Sequence, residues 1–114
     1  MGKVTDYVNS LYGFETETTE RAVVLGAAAP VIVMPNDPNR LSWTIFNLGA
    51  AIGYVAFTSA VAAAFGMQLA AAGGVATSNA REDGDLPTHE LWGIGAGATT
   101  LYVVETKALA HYRG

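Results

Sequence analysis

No cysteine occurs in the chain, which removes disulfide frameworks, thiolate nucleophiles and cysteine-based zinc sites together. Charge is scarce as well: six Lys or Arg and ten Asp or Glu in 114 residues, a formal net charge of −4. The six basic residues, Lys3, Arg21, Arg40, Arg81, Lys107 and Arg113, are scattered, so no basic stripe exists to neutralise phosphates. That argues against nucleic acid as a partner. General bases are few, since the only histidines are His89 and His111 and the second sits in the tail His111-Tyr112-Arg113-Gly114. A long amphipathic helix is missing too, which excludes the crossovers that a parallel α/β sheet needs.

These gaps leave no enzyme chemistry in view. His89 follows the acidic run Glu82-Asp83-Gly84-Asp85 and precedes Glu90, but the ligand spacing of an EF-hand loop is not there. A solvated turn is the expected role, with no metal. Gly93-Ile94-Gly95-Ala96-Gly97 has neither the G-x-G-x-x-G spacing nor a following helix, so its glycines are expected in a tight turn or bulge. Glu90 and Glu105 fall near or within strands, with nothing in the sequence to poise them as an acid–base pair. No catalytic residue and no cofactor are expected.

What the chain has instead is apolar residues, 51% of the total, with 13 glycines. A monomer with so few charges has little to cover its surface with, which points to assembly or to a membrane. Leu48 to Met67 is long enough to span a bilayer as a helix, because about 20 apolar residues suffice. Against spanning stand its Ala and Gly content, the lack of a flanking Lys/Arg cluster, and turn signals at Asn47-Leu48-Gly49 and Gly53-Tyr54.

Short β-prone runs recur along the chain, each closed by turn residues. Arg21 to Leu25 and Val31 to Met34 come first, followed by the turn cluster Pro35-Asn36-Asp37-Pro38-Asn39. Leu41 to Asn47 alternates, with Leu41, Trp43 and Ile45 on one face and Ser42, Thr44 and Phe46 on the other. Gly53 to Thr58 alternates again, while Ser59 to Phe65 reads as a helical turn or an irregular loop. Gly66 to Leu69, Val75 to Ser78, Glu90 to Ile94 and Thr99 to Thr106 complete the set, with an exposed acidic turn over Arg81 to Pro87. This spacing predicts an all-β, single-domain antiparallel β-sandwich or jelly roll over 21–110.

Residues 1–20 read as an N-terminal arm, extended or partly helical, and 111–114 as a tail. Three aromatics, Tyr7, Tyr12 and Phe14, fall within eight residues of the arm, and a purely solvated tail rarely carries so many. They are the candidate partner-binding residues. Arg40, directly after the Asn-Asp-Pro-Asn turn, is the basic residue expected to pair with an acid on its own sheet or on a neighbour. It is the candidate inter-subunit or capsid contact. Trp43 and Trp92 are expected in the core, and Tyr54 and Tyr102 at strand rims.

From Asn39 onward the order of features resembles small virion proteins of tailed bacteriophages. The resemblance is carried by Asn39-Arg40, Thr44-Ile45-Phe46-Asn47-x-Gly49, Tyr54-Val55, Gly66-Met67-Gln68-Leu69, Gly73-Gly74, Leu91-Trp92-x-Ile94 and Leu101-x-Val103-Val104-Glu105, over about residues 31–106. It implies a β-sandwich or jelly roll that decorates or cements a capsid. The implied partner is the major capsid protein, the location the virion surface, and the state a homo-oligomer such as a dimer or trimer. Two alternatives stand beside it: a receptor- or glycan-binding module of a head fibre or tail, with a shallow site around Tyr54, Trp92 or Tyr102, and a small membrane protein spanning with residues 48–67.

Overall fold

The computed structural model describes residues 15–109. Among the described residues eight strands form: β1 (Thr16–Leu25), β2 (Val31–Met34), β3 (Arg40–Asn47), β4 (Gly53–Ala56), β5 (Met67–Leu69), β6 (Val75–Asn79), β7 (Leu91–Gly95) and β8 (Thr99–Ala108). A helix of one turn, α1 (Ala80–Asp83), and a 3-10 turn at Leu86–Thr88 lie between β6 and β7. The strands pair antiparallel into two four-stranded sheets, ordered β1-β8-β3-β6 and β2-β7-β4-β5. The pairs β1·β8, β2·β7, β3·β6 and β4·β5 nest within one another, so the chain is one long hairpin ribbon rolled up on itself. That is the jelly roll, and it selects between the two all-β forms the sequence allowed.

Alternation decides which side chains enter the space between the sheets. Leu25, Val33, Met34, Trp43, Ile45, Val55, Leu69, Leu91, Leu101 and Val103 form one continuous buried cluster drawn from both sheets. Two bulges break strict alternation. One, between Ile32 and Met34, turns the consecutive residues Val33 and Met34 both inward. The other, between Arg40 and Ser42, turns Arg40 inward and leaves Leu41 half-exposed.

Polar residues close the core at one end. Asn47 is fully buried, and its amide nitrogen donates to the carbonyls of Ala51 (2.8 Å) and Leu69 (3.1 Å). Its oxygen accepts from the Gly49 amide (3.1 Å) and the Thr99 hydroxyl (2.7 Å). With all four partners in place, burial of this amide carries no unmet hydrogen bond. The turn signal read at Asn47-Leu48-Gly49 is therefore also the lock between β3, β5 and β8.

Several expectations change. β1 starts at Thr16, so the end of the expected arm belongs to the sheet: Thr16 to Glu20 pair with Val104 to Ala108, because Thr18 and Thr19 suit a pleated ladder. The helical membrane span over Leu48 to Met67 is overturned, since these residues form β4, a loop and the start of β5, with Val55 in the core. Among the described residues no helix is long and apolar enough to cross a membrane. Ser59 to Phe65 is an irregular loop closed by an isolated bridge between Ala62 and Phe65.

Gly93 is not a turn residue but a contact between the sheets. A Cβ there would lie 2.8 Å from Val33 Cγ2 and 3.0 Å from Leu25 Cδ2, both fixed in the core. Gly93→Ala is expected to cost about 1–3 kcal/mol of stability by overpacking. Gly26→Ala, where a Cβ meets nothing within 4 Å, is expected to leave the urea midpoint unchanged or raise it. Equal losses at the two sites would contradict this account of the sheet packing.

Candidate functional site

The outward positions of the two sheets follow from the same alternation. On the sheet β1-β8-β3-β6, Ala22, Tyr102, Phe46 and Val75 lie in one row across the strands. Glu20, Val104, Thr44 and Thr77 lie in the next row, and Thr18, Thr106, Ser42 and Asn79 in a third. Glu20 is the single charged residue in these rows, and its carboxylate accepts from the Tyr102 hydroxyl. That hydrogen bond and the adjacent negative charge push the Tyr102 pKa up. The Phe46 and Tyr102 rings are 6.2 Å apart, and threonine hydroxyls pair across strands at Thr18–Thr106 (3.2 Å) and Thr44–Thr77 (3.0 Å). The result is a nearly uncharged face on which Val24 and Val75 are more than half exposed.

The opposite face, on β2-β7-β4-β5, follows the same pattern. Ile32, Trp92 and Ala56 form one row, and Ile94, Tyr54 and Gln68 the next. The Trp92 indole N–H donates to the Glu90 carboxylate at 2.6 Å. Trp92 is thus an outward residue with a satisfied polar edge and not a core residue, whereas Trp43 is buried as expected. Tyr54 and Trp92 share this face, while Tyr102 is on the other side of the molecule. The three do not converge on one shallow site.

Charge is concentrated at the end of the interior away from Asn47. The Glu105 carboxylate, 1% exposed, accepts from Arg40 Nε at 2.7 Å and from Arg21 Nη1, with Lys107 Nζ 3.7 Å away. Lys107 also reaches Asp37 at 3.0 Å. The other guanidinium nitrogens tie this cluster to backbone carbonyls: Arg21 donates to Val33, and Arg40 to Pro35 (2.7 Å), Pro87 (3.1 Å) and His89 (3.4 Å). Arg40 is 1% exposed, so the expectation that it contacts a neighbouring subunit or capsid is corrected. The bulge at its position turns it inward, and every guanidinium nitrogen is held within the chain.

Burial alone pushes the Glu105 carboxyl up, but the hydrogen bond and charge of Arg40, with the charges of Arg21 and Lys107, outweigh it, and the net shift is downward. Asp37 shifts the same way: burial raises it, and Lys107 with the Asn39 amide lowers it further. For both, the folded pKa lies below the unfolded one. Their stabilisation is complete above the ordinary carboxylate range and is lost as pH falls through the folded values. The urea midpoint is therefore expected to hold near neutral pH and to fall once the pH drops below about 4. Glu105→Ala, which leaves two guanidinium groups facing each other without their anion, is expected to cost about 3–5 kcal/mol. A loss under 1 kcal/mol in the same titration would contradict the clamp.

The acidic run is built into local structure. Asp83 accepts from the Ser78 hydroxyl (2.7 Å) and the Asn79 amide (3.1 Å), and Asn79 in turn caps α1 through the Glu82 amide (3.0 Å). Among the described residues no group of three or more His, Asp or Glu is placed to hold a metal ion. An apolar pocket of about 260 Å³ opens beside the edge strand β5, lined by Val55, Phe57, Phe65 and Met67 among others. Sequence reasoning missed it, since the pocket forms only where a loop without periodicity, carrying Phe65 and Gly66, folds back beside β4 and β5. Tyr7, Tyr12 and Phe14 lie outside the described residues.

No family model matches the chain, and no curated protein does. It is similar to a solved structure from the work "Bacillus endospore appendages form a novel family of disulfide-linked pili", at 15% identity and a TM-score of 0.49 over 83% of this chain and 89% of that one. Likeness at that level carries no argument about function.

Proposed function

We propose that this protein is a non-catalytic structural module that coats a larger protein shell as a homo-oligomer, in the manner of a capsid decoration or cement protein. The observation that supports this most is the pair of nearly uncharged sheet faces on a domain with so few charges. Surfaces carrying Tyr, Trp, Phe and Val with few ions suit protein contacts, whose cores are depleted in charge and enriched in aromatics. The phage capsid as the setting, with the major capsid protein as partner, comes from the sequence resemblance.

In this reading the sandwich is a rigid tile and residues 1–14, with Tyr7, Tyr12 and Phe14, reach from the start of β1 onto a neighbour. Without cysteine in the chain, disulfide bonds between copies play no part in holding the assembly. Removing residues 1–14 is expected to abolish co-sedimentation with phage heads while leaving the thermal midpoint of the sandwich unchanged, because the buried core lies wholly within 25–103. Undiminished decoration by the truncated chain would overturn the arm. With Tyr102 on the other side of the molecule, the glycan-binding alternative would rest on Tyr54 and Trp92, which share one face.

A further inference from the structure

We infer that the pocket beside β5 is the receptor for Phe14 of a second copy of this chain, so that copies join arm to pocket; this rests on the arm reading above. The pocket is almost wholly hydrocarbon. Val55, Phe57, Phe65 and Met67 line it, and its one side-chain hydroxyl, on Thr58, already accepts from the Ala60 amide at 3.3 Å. Gly66 forms part of the wall at φ +141, where a Cβ would lie 2.8 Å from the Val55 carbonyl oxygen. A site this apolar selects a ligand group without polar atoms.

Size and chemistry indicate one aromatic ring. A dry cavity of about 150 Å³ holds benzene, so about 260 Å³ admits a phenyl ring with its methylene. Of the three arm aromatics, Tyr7 and Tyr12 bring a hydroxyl that needs a partner when buried, and Phe14 does not.

Geometry requires that the ring come from another copy. Arg21 of β1 donates to the Val33 carbonyl of β2, so the β1 and β2 edges of the two sheets lie together. The β6 and β5 edges then lie together on the opposite side. Phe14 stands two residues before β1 and reaches about 7 Å from Thr16. Crossing its own sandwich to the β5 edge means three strand spacings of about 4.8 Å and one sheet spacing of about 10 Å. A tether that short cannot make the crossing. A donor on one edge and a receptor on the opposite edge make a head-to-tail contact, which generates rings or open strings of subunits.

The test is native mass spectrometry of the full-length chain, of Phe14→Ser, of Phe65→Asp and of an equimolar mixture of the two variants. Phe65 is 55% exposed and outside the core cluster, so its replacement leaves the fold intact. Each variant alone is expected to need at least about tenfold higher concentration to associate, as for loss of a buried aromatic anchor. The mixture is expected to restore association as mixed 1:1 dimers only, because the arm intact in Phe65→Asp meets the pocket intact in Phe14→Ser. Thr58→Trp, which fills the pocket from its rim, is expected to behave like Phe65→Asp. If both pocket variants associate as the natural chain does, the pocket is not the receptor, whereas the arm reading still stands if removal of 1–14 abolishes decoration. Mixtures that stay monomeric would also overturn the pairing, and a decorating chain monomeric at all concentrations would assign the arm to the shell alone.

Discussion

The buried carboxylate of Glu105 is the constraint on which the rest of this molecule depends. A lone carboxylate in a protein interior is too costly to keep ionised, so cations must be brought to it and held. They come from two other strands, Arg21 on β1 and Arg40 on β3, on either side of β8. Each arginine then uses its remaining donors on carbonyls of, or next to, strands of the other sheet: Val33, Pro35, Pro87 and His89. One anion thereby sets the register of three strands and the placement of the second sheet. Lys107 and Asp37 extend the cluster to the turn before β3.

This arrangement bears on the surface as much as on the interior. Three of the six basic residues of the chain, Arg21, Arg40 and Lys107, belong to the cluster. Lys3 and Arg113 lie outside the described residues, and Arg81 is on α1. No basic residue is left for the rows of either outer face, which explains how two broad faces come to be nearly uncharged on opposite sides of a small domain. Such faces invite contact with other protein, and edge strands add to that tendency.

Much of the architecture was legible in the sequence because its strands are short, alternating and closed by strong turn residues. The runs Val31 to Met34 and Leu41 to Asn47 show this, as does the turn cluster between Pro35 and Asn39. What alternation could not reveal lies where alternation fails. The pairing of Arg40 with an acid on its own sheet was legible, but the bulge that turns it inward, away from any neighbouring subunit, was not, because nothing in one sequence marks a bulge there. The choice of jelly roll depended on which distant strands pair, a non-local property absent from local pattern. Glu105 was visible as a strand residue, yet its burial follows only from the register that sets it between Arg21 and Arg40. Gly93 read as a turn glycine because close sheet approach leaves no local signature.

The central claim is that these uncharged faces and the arm serve association between copies. Sedimentation equilibrium of the full-length chain in detergent-free buffer tests it most directly. The account predicts a mass that rises with concentration above the monomer value of 11.9 kDa toward a multiple of it. A mass fixed at 11.9 kDa across the range would contradict it.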